Sequence, residues 1–356
     1  MNILFILPSL NPGGAERVVS FLARKFYEDD QNVELLILGK EEKEYYQTGN
    51  LPVHYLNRSR LLFSAWDIVS FIKSRKPDIV FSSIGQINVF MGIIACLFKK
   101  TRFIAREASV VSKRAQYGNK KSRLLSYIAR LSYKNLDALV CQCEDIRVDL
   151  GARFNIEDRK LHIIGNPITM LLGEPNMNVV SSQGEVKFIT VGRLSEVKGH
   201  SRIISGLSKI TAYDFHYTIV GSGPLRRKIE EEIESHNLKN KVTFIEYTSK
   251  VLEEIAKNDY FLQGSFVEGF PNAALESCSI GVPVIAFNCP GGTRDIVDEK
   301  SGYLVENQSE LESLLVDLQK RKSLTKSLII DTVFSKYEAG NIIGKYRDLF
   351  LELLSN

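Results

Sequence analysis

Asn2-Ile3-Leu4-Phe5-Ile6-Leu7, Pro8-Ser9-Leu10-Asn11-Pro12-Gly13-Gly14 and the run from Ala15 through Tyr27 decide the fold of this chain. The first six residues read as a short buried strand, and the proline- and glycine-rich segment reads as a loop. Val18, Val19, Leu22, Ala23 and Phe26 recur at the spacing of one helix face. A second strand follows at 33–38. Strand, loop, helix and strand in that order open a parallel sheet covered by helices. The pattern continues with strands expected at 79–81, 103–105 and 138–141, and helices over 66–74 and 89–98.

Ile163-Ile164-Gly165-Asn166-Pro167 ends this first alternation, and residues 173–185 lose periodicity and become rich in Asn, Ser and Gly, the composition of a linker. A second alternation then begins. Strands are expected at 186–191, 217–220, 242–245, 260–262 and 284–287, with helices at 203–209, 225–236 and 252–257. A chain of 356 residues exceeds one ordinary core. The reading is therefore α/β, with two Rossmann-like, doubly wound parallel-sheet domains facing a central cleft. The expected division is residues 1–167 and 168–336.

Composition bounds the functional classes. Apolar content of 44% and charged content of 25% are those of a soluble globular protein. Cys96, Cys141, Cys143, Cys278 and Cys289 have no zinc-like spacing and read as reduced core thiols of a cytoplasmic protein. The five histidines show no metal-site spacing either, and no metal is expected. The N-terminus lacks a basic leader and reads as a strand, and the apolar run at 89–98 is too short to span a membrane. The stretch 99–134, which begins at Lys99 and ends at Lys134, holds eleven Lys or Arg residues and one acid, Glu107, whereas the whole chain nets +4. Tyr117, Tyr127 and Tyr133 are interleaved, and Leu124, Leu125, Ile128 and Leu131 form an apolar stripe. A solvated face and an anionic membrane contact both fit this stretch. Nucleic acid is disfavoured, since no nucleic-acid fold signature accompanies the charge.

Three strand-end motifs carry chemistry. Glu268-Gly269-Phe270-Pro271-Asn272-Ala273-Ala274-Leu275-Glu276 reads as a loop feeding a helix, with Asn272 as its cap and the amides of Ala273 and Ala274 as an anion seat. Glu268 and Glu276 bracket that seat and suit hydroxyl binding. A capped helix with two solvated glutamates is the plain alternative. Gly192-Arg193-Leu194-Ser195-Glu196-Val197-Lys198-Gly199 offers a guanidinium fork and an ammonium to phosphate oxygens. Gly221-Ser222-Gly223-Pro224 follows another strand. A dinucleotide fingerprint would need glycine at 226, which is Arg226, so a nicotinamide dehydrogenase is disfavoured. No two aspartates stand with one residue between them, the arrangement with which metal-dependent sugar transferases hold manganese.

Together with Gly13-Gly14-Ala15-Glu16-Arg17, Gly281-Val282-Pro283-Val284 and Pro290-Gly291-Gly292, these motifs make the chain resemble glycosyltransferase family 4, the retaining family of GT-B fold. The resemblance covers nearly the whole chain. It implies an N-terminal acceptor domain, to which a C-terminal helix over 337–356 crosses back, and a C-terminal nucleotide-sugar domain. Arg193 and Lys198 would neutralise the departing diphosphate in place of a metal. Glu276 would hold the ribose hydroxyls. Glu268 would face the transferred sugar, near Gly269, Phe270 and Asn272. Gly14 would let the first-domain loop approach the reacting centre. Relatives often carry a histidine in the stretch here occupied by 103–109. Arg106 or Glu107 would take part of that role, or the two would form an Arg–Glu loop pair that only binds acceptor or shapes the cleft. Glu246-Tyr247 replaces a glycine common near the nucleobase.

The expectation is thus a cytoplasmic, membrane-peripheral enzyme of bacterial capsule, O-antigen or exopolysaccharide assembly. It would move a sugar from a nucleotide-sugar, a UDP-sugar, to a lipid-linked or polysaccharide acceptor with retention and without a cofactor. Two alternatives remain open: a sugar-nucleotide epimerase of the same fold, and a non-catalytic partner subunit of a glycosyltransferase complex.

Overall fold

The computed structural model describes residues 1–41, 46, 48–58, 61–114, 123–170, 184–321 and 324–355. Its backbone contacts divide the chain into two units, Met1–Thr169 with Ala339–Asn356, and Met170–Glu338.

In the first unit, strands β1 (Asn2–Leu7), β2 (Asn32–Ile37), β3 (Val53–Tyr55), β4 (Ile79–Ser83), β5 (Arg102–Glu107), β6 (Ala138–Cys141) and β7 (Leu161–Ile163) form one sheet. Its order is β3-β2-β1-β4-β5-β6-β7 and every pairing is parallel. Residues 3–7 of β1 are buried on both faces, which is why they read as an unbroken apolar run. Helices α1 (Gly14–Glu28), α2 (Leu61–Arg75), α3 (Gly85–Ile94), α4 (Val111–Arg114), α5 (Arg123–Lys134) and α6 (Glu144–Phe154) connect the strands. The apolar face predicted for α1 is the buried one: Val18, Val19, Leu22, Ala23 and Phe26.

The second unit repeats the plan with β8 (Glu185–Val191), β9 (Asp214–Val220), β10 (Val242–Ile245), β11 (Tyr260–Gln263), β12 (Val284–Phe287) and β13 (Gly302–Val305), ordered β10-β9-β8-β11-β12-β13 and parallel throughout. Its helices are α7 (His200–Leu207), α8 (Arg226–Ser235), α9 (Val251–Ala256), α10 (Asn272–Ser279), α11 (Thr293–Ile296), α12 (Gln308–Val316) and α13 (Lys326–Tyr337). Phe188, Tyr217, Ile219, Leu262, Ile285 and Leu311 belong to its core. The one hydroxyl on Tyr217 is satisfied inside it, donating to Thr190 Oγ1 at 2.8 Å, and Thr190 in turn donates to the Leu262 carbonyl at 2.7 Å.

Several expectations are corrected. The strands β3, β7 and β13 were not anticipated: each spans three or four residues, too few to display a period. The expected linker at 173–185 falls mostly outside the described residues, and its last residue, Glu185, already belongs to β8. Asn272 is the first residue of α10 and not its cap; Pro271 holds the cap position, without a side-chain hydrogen bond. Cys96 is exposed, so only four of the five cysteines are core thiols.

The last helix, α14 (Ala339–Ser355), belongs to the first unit. Its buried residues are Ile342, Ile343, Tyr346, Leu349 and Phe350. Phe350 stacks on Phe26 with ring centroids 5.2 Å apart and lies 6.1 Å from the ring of Phe81. An aromatic ring buried among aromatic neighbours leaves a cavity when removed. Phe350→Ala is expected to destabilise the first unit by about 3–5 kcal/mol in urea unfolding followed by circular dichroism. A loss below about 1 kcal/mol would show that α14 is not integral to that core.

Candidate functional site

In both sheets the strand order reverses direction once, between β1 and β4 in the first unit and between β8 and β11 in the second. Loops leaving the carboxyl ends of two such strands diverge to opposite sides and open a crevice, where ligands of open α/β sheets bind. In the second unit those two loops are 192–199, after β8, and 264–271, after β11. Arg193 and Lys198 therefore share a switch point with Glu268, although about seventy residues separate them.

The contact is direct. Lys198 Nζ donates to Glu268 Oε1 at 2.6 Å, and Ser265 Oγ donates to the same oxygen at 2.5 Å. The Glu268 side chain is 9% exposed and that of Lys198 31%, so the carboxylate is fixed within the fold while the ammonium reaches the rim. Both bonds fall on Oε1, leaving Oε2 as the oxygen that can accept from a ligand hydroxyl. Arg193 is exposed, and Leu194 beside it is fully buried. Leu194 is pinned by its amide to the Ser222 carbonyl at 2.9 Å and by its carbonyl to the Leu225 amide at 3.1 Å. The buried leucine sets the direction in which the guanidinium leaves the loop.

Close backbone packing brings these loops together. Lys198 closes a 3-10 turn, Glu196–Lys198, and Gly199 follows at φ +58. A Cβ at Gly199 would sit 2.0 Å from the Gly264 carbonyl oxygen, a contact that only glycine permits. Gly291, at φ +122, meets the Glu268 carbonyl in the same way: its Cβ would lie 2.0 Å from that oxygen. The Glu268 amide donates to the Pro290 carbonyl at 2.9 Å, and the Gly292 amide to the Gly269 carbonyl at 2.9 Å. Thus the loop after β12 clamps Glu268 and Gly269 from the other side.

Two residues that the motifs did not single out complete the frame. Arg202 places its guanidinium over the rings of Phe266 and Phe287, 4.4 and 3.2 Å from their centroids, and donates to the Gly264 and Ser265 carbonyls at 3.3 and 3.4 Å. His200 is buried, and its Nε2 lies 3.4 Å from the Arg193 carbonyl, so that nitrogen carries the proton. Burial pushes the His200 pKa down to about 4, and the charge of Lys198 acts in the same direction. Neither role was legible. A helical Arg and a His after glycine are commonplace in sequence, and only the folded loops supply their partners.

Glu276 is buried one turn into α10, and Phe270 is buried against Tyr337, the rings 5.2 Å apart and edge-on. The Ala274 amide is taken by the Pro271 carbonyl at 3.1 Å, so of the two amides expected as an anion seat that of Ala274 is already engaged within the helix. Gly14 and Glu107 lie in the first unit. Gly14 is exposed as the first residue of α1, after β1 at that sheet's own switch point. Glu107 ends β5, buried, and accepts from Tyr133 Oη at 2.6 Å. Arg106, its neighbour on the strand, points to the opposite face and is also buried, so the two belong to a strand and not to a loop pair. Among the described residues no three His, Cys, Asp or Glu side chains gather as metal ligands.

Comparison with known proteins agrees with this layout. Residues 12–170 match the profile of Glycosyltransferase Family 4, and residues 174–327 that of Glycosyl transferases group 1. An N-acetylgalactosamine-N,N'-diacetylbacillosaminyl-diphospho-undecaprenol 4-alpha-N-acetylgalactosaminyltransferase from Campylobacter jejuni is 26% identical over 340 residues, covering 88% of this chain and 90% of that one. The amylovoran biosynthesis glycosyltransferase AmsD of Erwinia amylovora is 23% identical over 350 residues, covering 95% and 96%. Among solved structures, HepE of Anabaena, crystallised with UDP and glucose, superposes with a TM-score of 0.81 at 16% identity, covering 98% and 99%.

His200 yields a pH dependence. Between its ordinary pKa near 6.5 and its folded value near 4, the unfolded chain holds a proton that the folded chain does not. Its contribution to stability is complete above about pH 6.5 and is lost as pH falls towards 4, by at most about 1.4 kcal/mol per pH unit. His200→Gln is expected to flatten that part of the melting-temperature profile. An equally steep fall in the variant would assign it to carboxylates.

Proposed function

The chain belongs to the group 1, family 4 glycosyltransferases of GT-B fold, and from that premise we propose that it moves a sugar, with retention, from a UDP-sugar to a lipid-linked glycan acceptor in bacterial surface-glycan assembly. The observation that carries this reading is the Lys198–Glu268 contact at the second sheet's switch point, with Arg193 on the same loop. Such a site has two jobs. It must hold sugar hydroxyls through a fixed acceptor, and it must stabilise the negative charge that grows on the diphosphate as the glycosidic bond breaks.

Glu268 does the first through Oε2. Lys198 and Arg193 do the second as fixed cations, without a metal ion. Charge-assisted hydrogen bonds of this kind are worth about 1.5–3 kcal/mol each, and aimed at developing charge they act on the barrier itself. When the diphosphate enters, Lys198 keeps its bond to Glu268 and offers the remaining N–H donors of its ammonium to phosphate oxygens. The amides at the start of α10 face the same charge, and Glu276 binds the ribose. Retention follows from front-face attack, in which the acceptor hydroxyl enters beside the leaving phosphate and loses its proton to it. No protein nucleophile is needed. Gly14 and Glu107 of the first unit serve the acceptor side of the reaction.

Support for the donor and acceptor classes comes from the relatives: the Campylobacter jejuni protein is named for a diphospho-undecaprenol acceptor, and HepE was crystallised with UDP. The basic stretch 99–134 suits the anionic membrane face on which such acceptors lie, although residues 115–122 of it fall outside the described structure.

A thermal-shift panel of UDP-, GDP-, ADP- and TDP-sugars tests the reading. UDP-sugars are expected to stabilise the wild type, and the shift should vanish in Arg193→Ala with Lys198→Ala. Stabilisation by another base would change the donor. No stabilisation of a folded wild type by any member would remove the donor site and favour a non-catalytic partner subunit.

A further inference from the structure

The loop between β1 and α1 leaves the first sheet at its switch point and carries Gly13 and Gly14. Glycine has more backbone freedom to lose than any other residue, so such a loop keeps one shape only if its neighbours impose it. At its start the end of β2 does so: the Leu38 amide donates to the Leu7 carbonyl at 3.1 Å and the Gly39 amide to the Pro8 carbonyl at 3.0 Å. At its far end the partner is a hydroxyl. Tyr46 Oη accepts from the Gly13 amide at 2.6 Å and donates to the Gly13 carbonyl at 2.9 Å. Gly13 is extended, with φ −161 and ψ 148. In that conformation a residue's own N–H and C=O point to one side, as they do towards a partner strand. The phenol, 33 residues away in the connection from β2 to β3, takes the place of that strand.

Another side of Gly13 is filled by a carboxylate. A Cβ there would fall 2.1 Å from Glu16 Oε2, so the acid stands where a side chain would begin. Burial raises the Glu16 pKa, and its own backbone amide and the charge of Arg106 act against the rise. Arg106 is fixed in turn by Asn166 and Ser83. The Gly13 carbonyl also receives the Arg17 amide at 3.0 Å, the first backbone bond of α1. The residue that Tyr46 grips is therefore the one on which α1 begins, and a shift of it moves Gly14.

We propose that Tyr46 is a positioning residue for sugar transfer: its hydroxyl fixes Gly13, and so holds Gly14 and the first turn of α1 at the reacting centre. The role rests on the transferase reading above, in which Gly14 serves the acceptor side. Tyr46 acts through the loop and not on substrate, because its one O–H is spent on the Gly13 carbonyl. In the same reading the donor is held by loops of the second unit, and its binding does not depend on this contact. What depends on it is alignment in the transition state, where a misplacement of about 1 Å can cost about a hundredfold. Loss of the hydroxyl therefore falls on kcat and spares the donor KM.

Tyr46→Phe removes the hydroxyl and keeps the ring. In hydrogen exchange on the full chain, its Gly13 amide should exchange about tenfold faster than that of the wild type. Transfer is read with the UDP-sugar that most stabilises the wild type and an undecaprenyl-diphosphate-linked N-acetylhexosamine as acceptor. There kcat should fall about ten- to a hundredfold while the donor KM stays within about twofold. Gly13→Ala is the second variant: the extended backbone admits alanine, and the new methyl displaces only the flexible end of the Glu16 side chain. It should lower kcat in the same sense, and the double variant should fall short of the product of the two losses, since both act on one residue. The role is overturned if Tyr46→Phe leaves kcat or the Gly13 exchange rate unchanged. It is also overturned if the donor KM rises as steeply as kcat falls, the mark of a loosened fold. A wild type that transfers no sugar would remove the transferase reading and this role with it, whereas equal transfer with and without the hydroxyl removes this role alone.

Discussion

Backbone packed against backbone at the carboxyl end of the second sheet is the constraint on which the candidate site depends. Gly199 meets Gly264, and Gly291 meets the Glu268 carbonyl, at separations that leave no room for a side chain. Three loops are thereby held in one layer, and only then can Lys198 reach Glu268. A lysine–carboxylate pair at a free surface is worth little, because ordering two side chains costs about what the attraction returns. Here the carboxylate is buried and doubly bonded by Lys198 and Ser265, so the geometry is set before any ligand arrives. A preorganised cation of that kind stabilises charge in a transition state without first having to move.

The first unit solves a different electrostatic problem. Arg106 is almost completely buried at the end of β5, bonded to Asn166 Oδ1 at 2.5 Å and to Ser83 Oγ at 3.3 Å. Burial pushes its pKa down, while Tyr346, Glu107 and Glu16 act against that. Glu16 stands in the first turn of α1, right after Gly13 and Gly14, and burial raises its pKa while Arg106 lowers it. One interior guanidinium thus ties together the end of β5, the segment holding Asn166 and the glycine loop. An internal charge bonded to neutral groups and faced by two carboxylates favours a single arrangement of those groups over sliding alternatives.

Much of this was legible from residues alone. The β1-loop-α1-β2 opening declared a parallel sheet through its change of period, and the longer buried strands were located within a few residues. Glycine next to charge at strand ends singled out Arg193, Lys198 and Glu268, because glycine there signals close backbone approach. What stayed hidden depended on distance in space. Arg202 acquires meaning only from a loop about sixty residues away, and Ser265 and His200 from contacts within their own loops that no period displays. The Asn272 assignment failed because Pro271, with its fixed φ, already occupies the cap position, so the helix starts one residue later than a side-chain cap would place it. Trp66 was read as the start of an ordinary helix and Phe63 lay outside it, since nothing in a periodic pattern says that its outer face is left uncovered.

In the proposed reaction, protein cations held by packed glycine loops carry the charge of the leaving diphosphate. The rate of donor turnover on a lipid-linked glycan acceptor in excess EDTA tests it most directly, compared between wild type and Lys198→Met. The account predicts a wild-type rate indifferent to chelation and a variant slower by about 100- to 1,000-fold, the usual loss on removing one preorganised stabilising group. A wild-type rate abolished by EDTA and restored by manganese, or a variant as fast as the wild type, would contradict it.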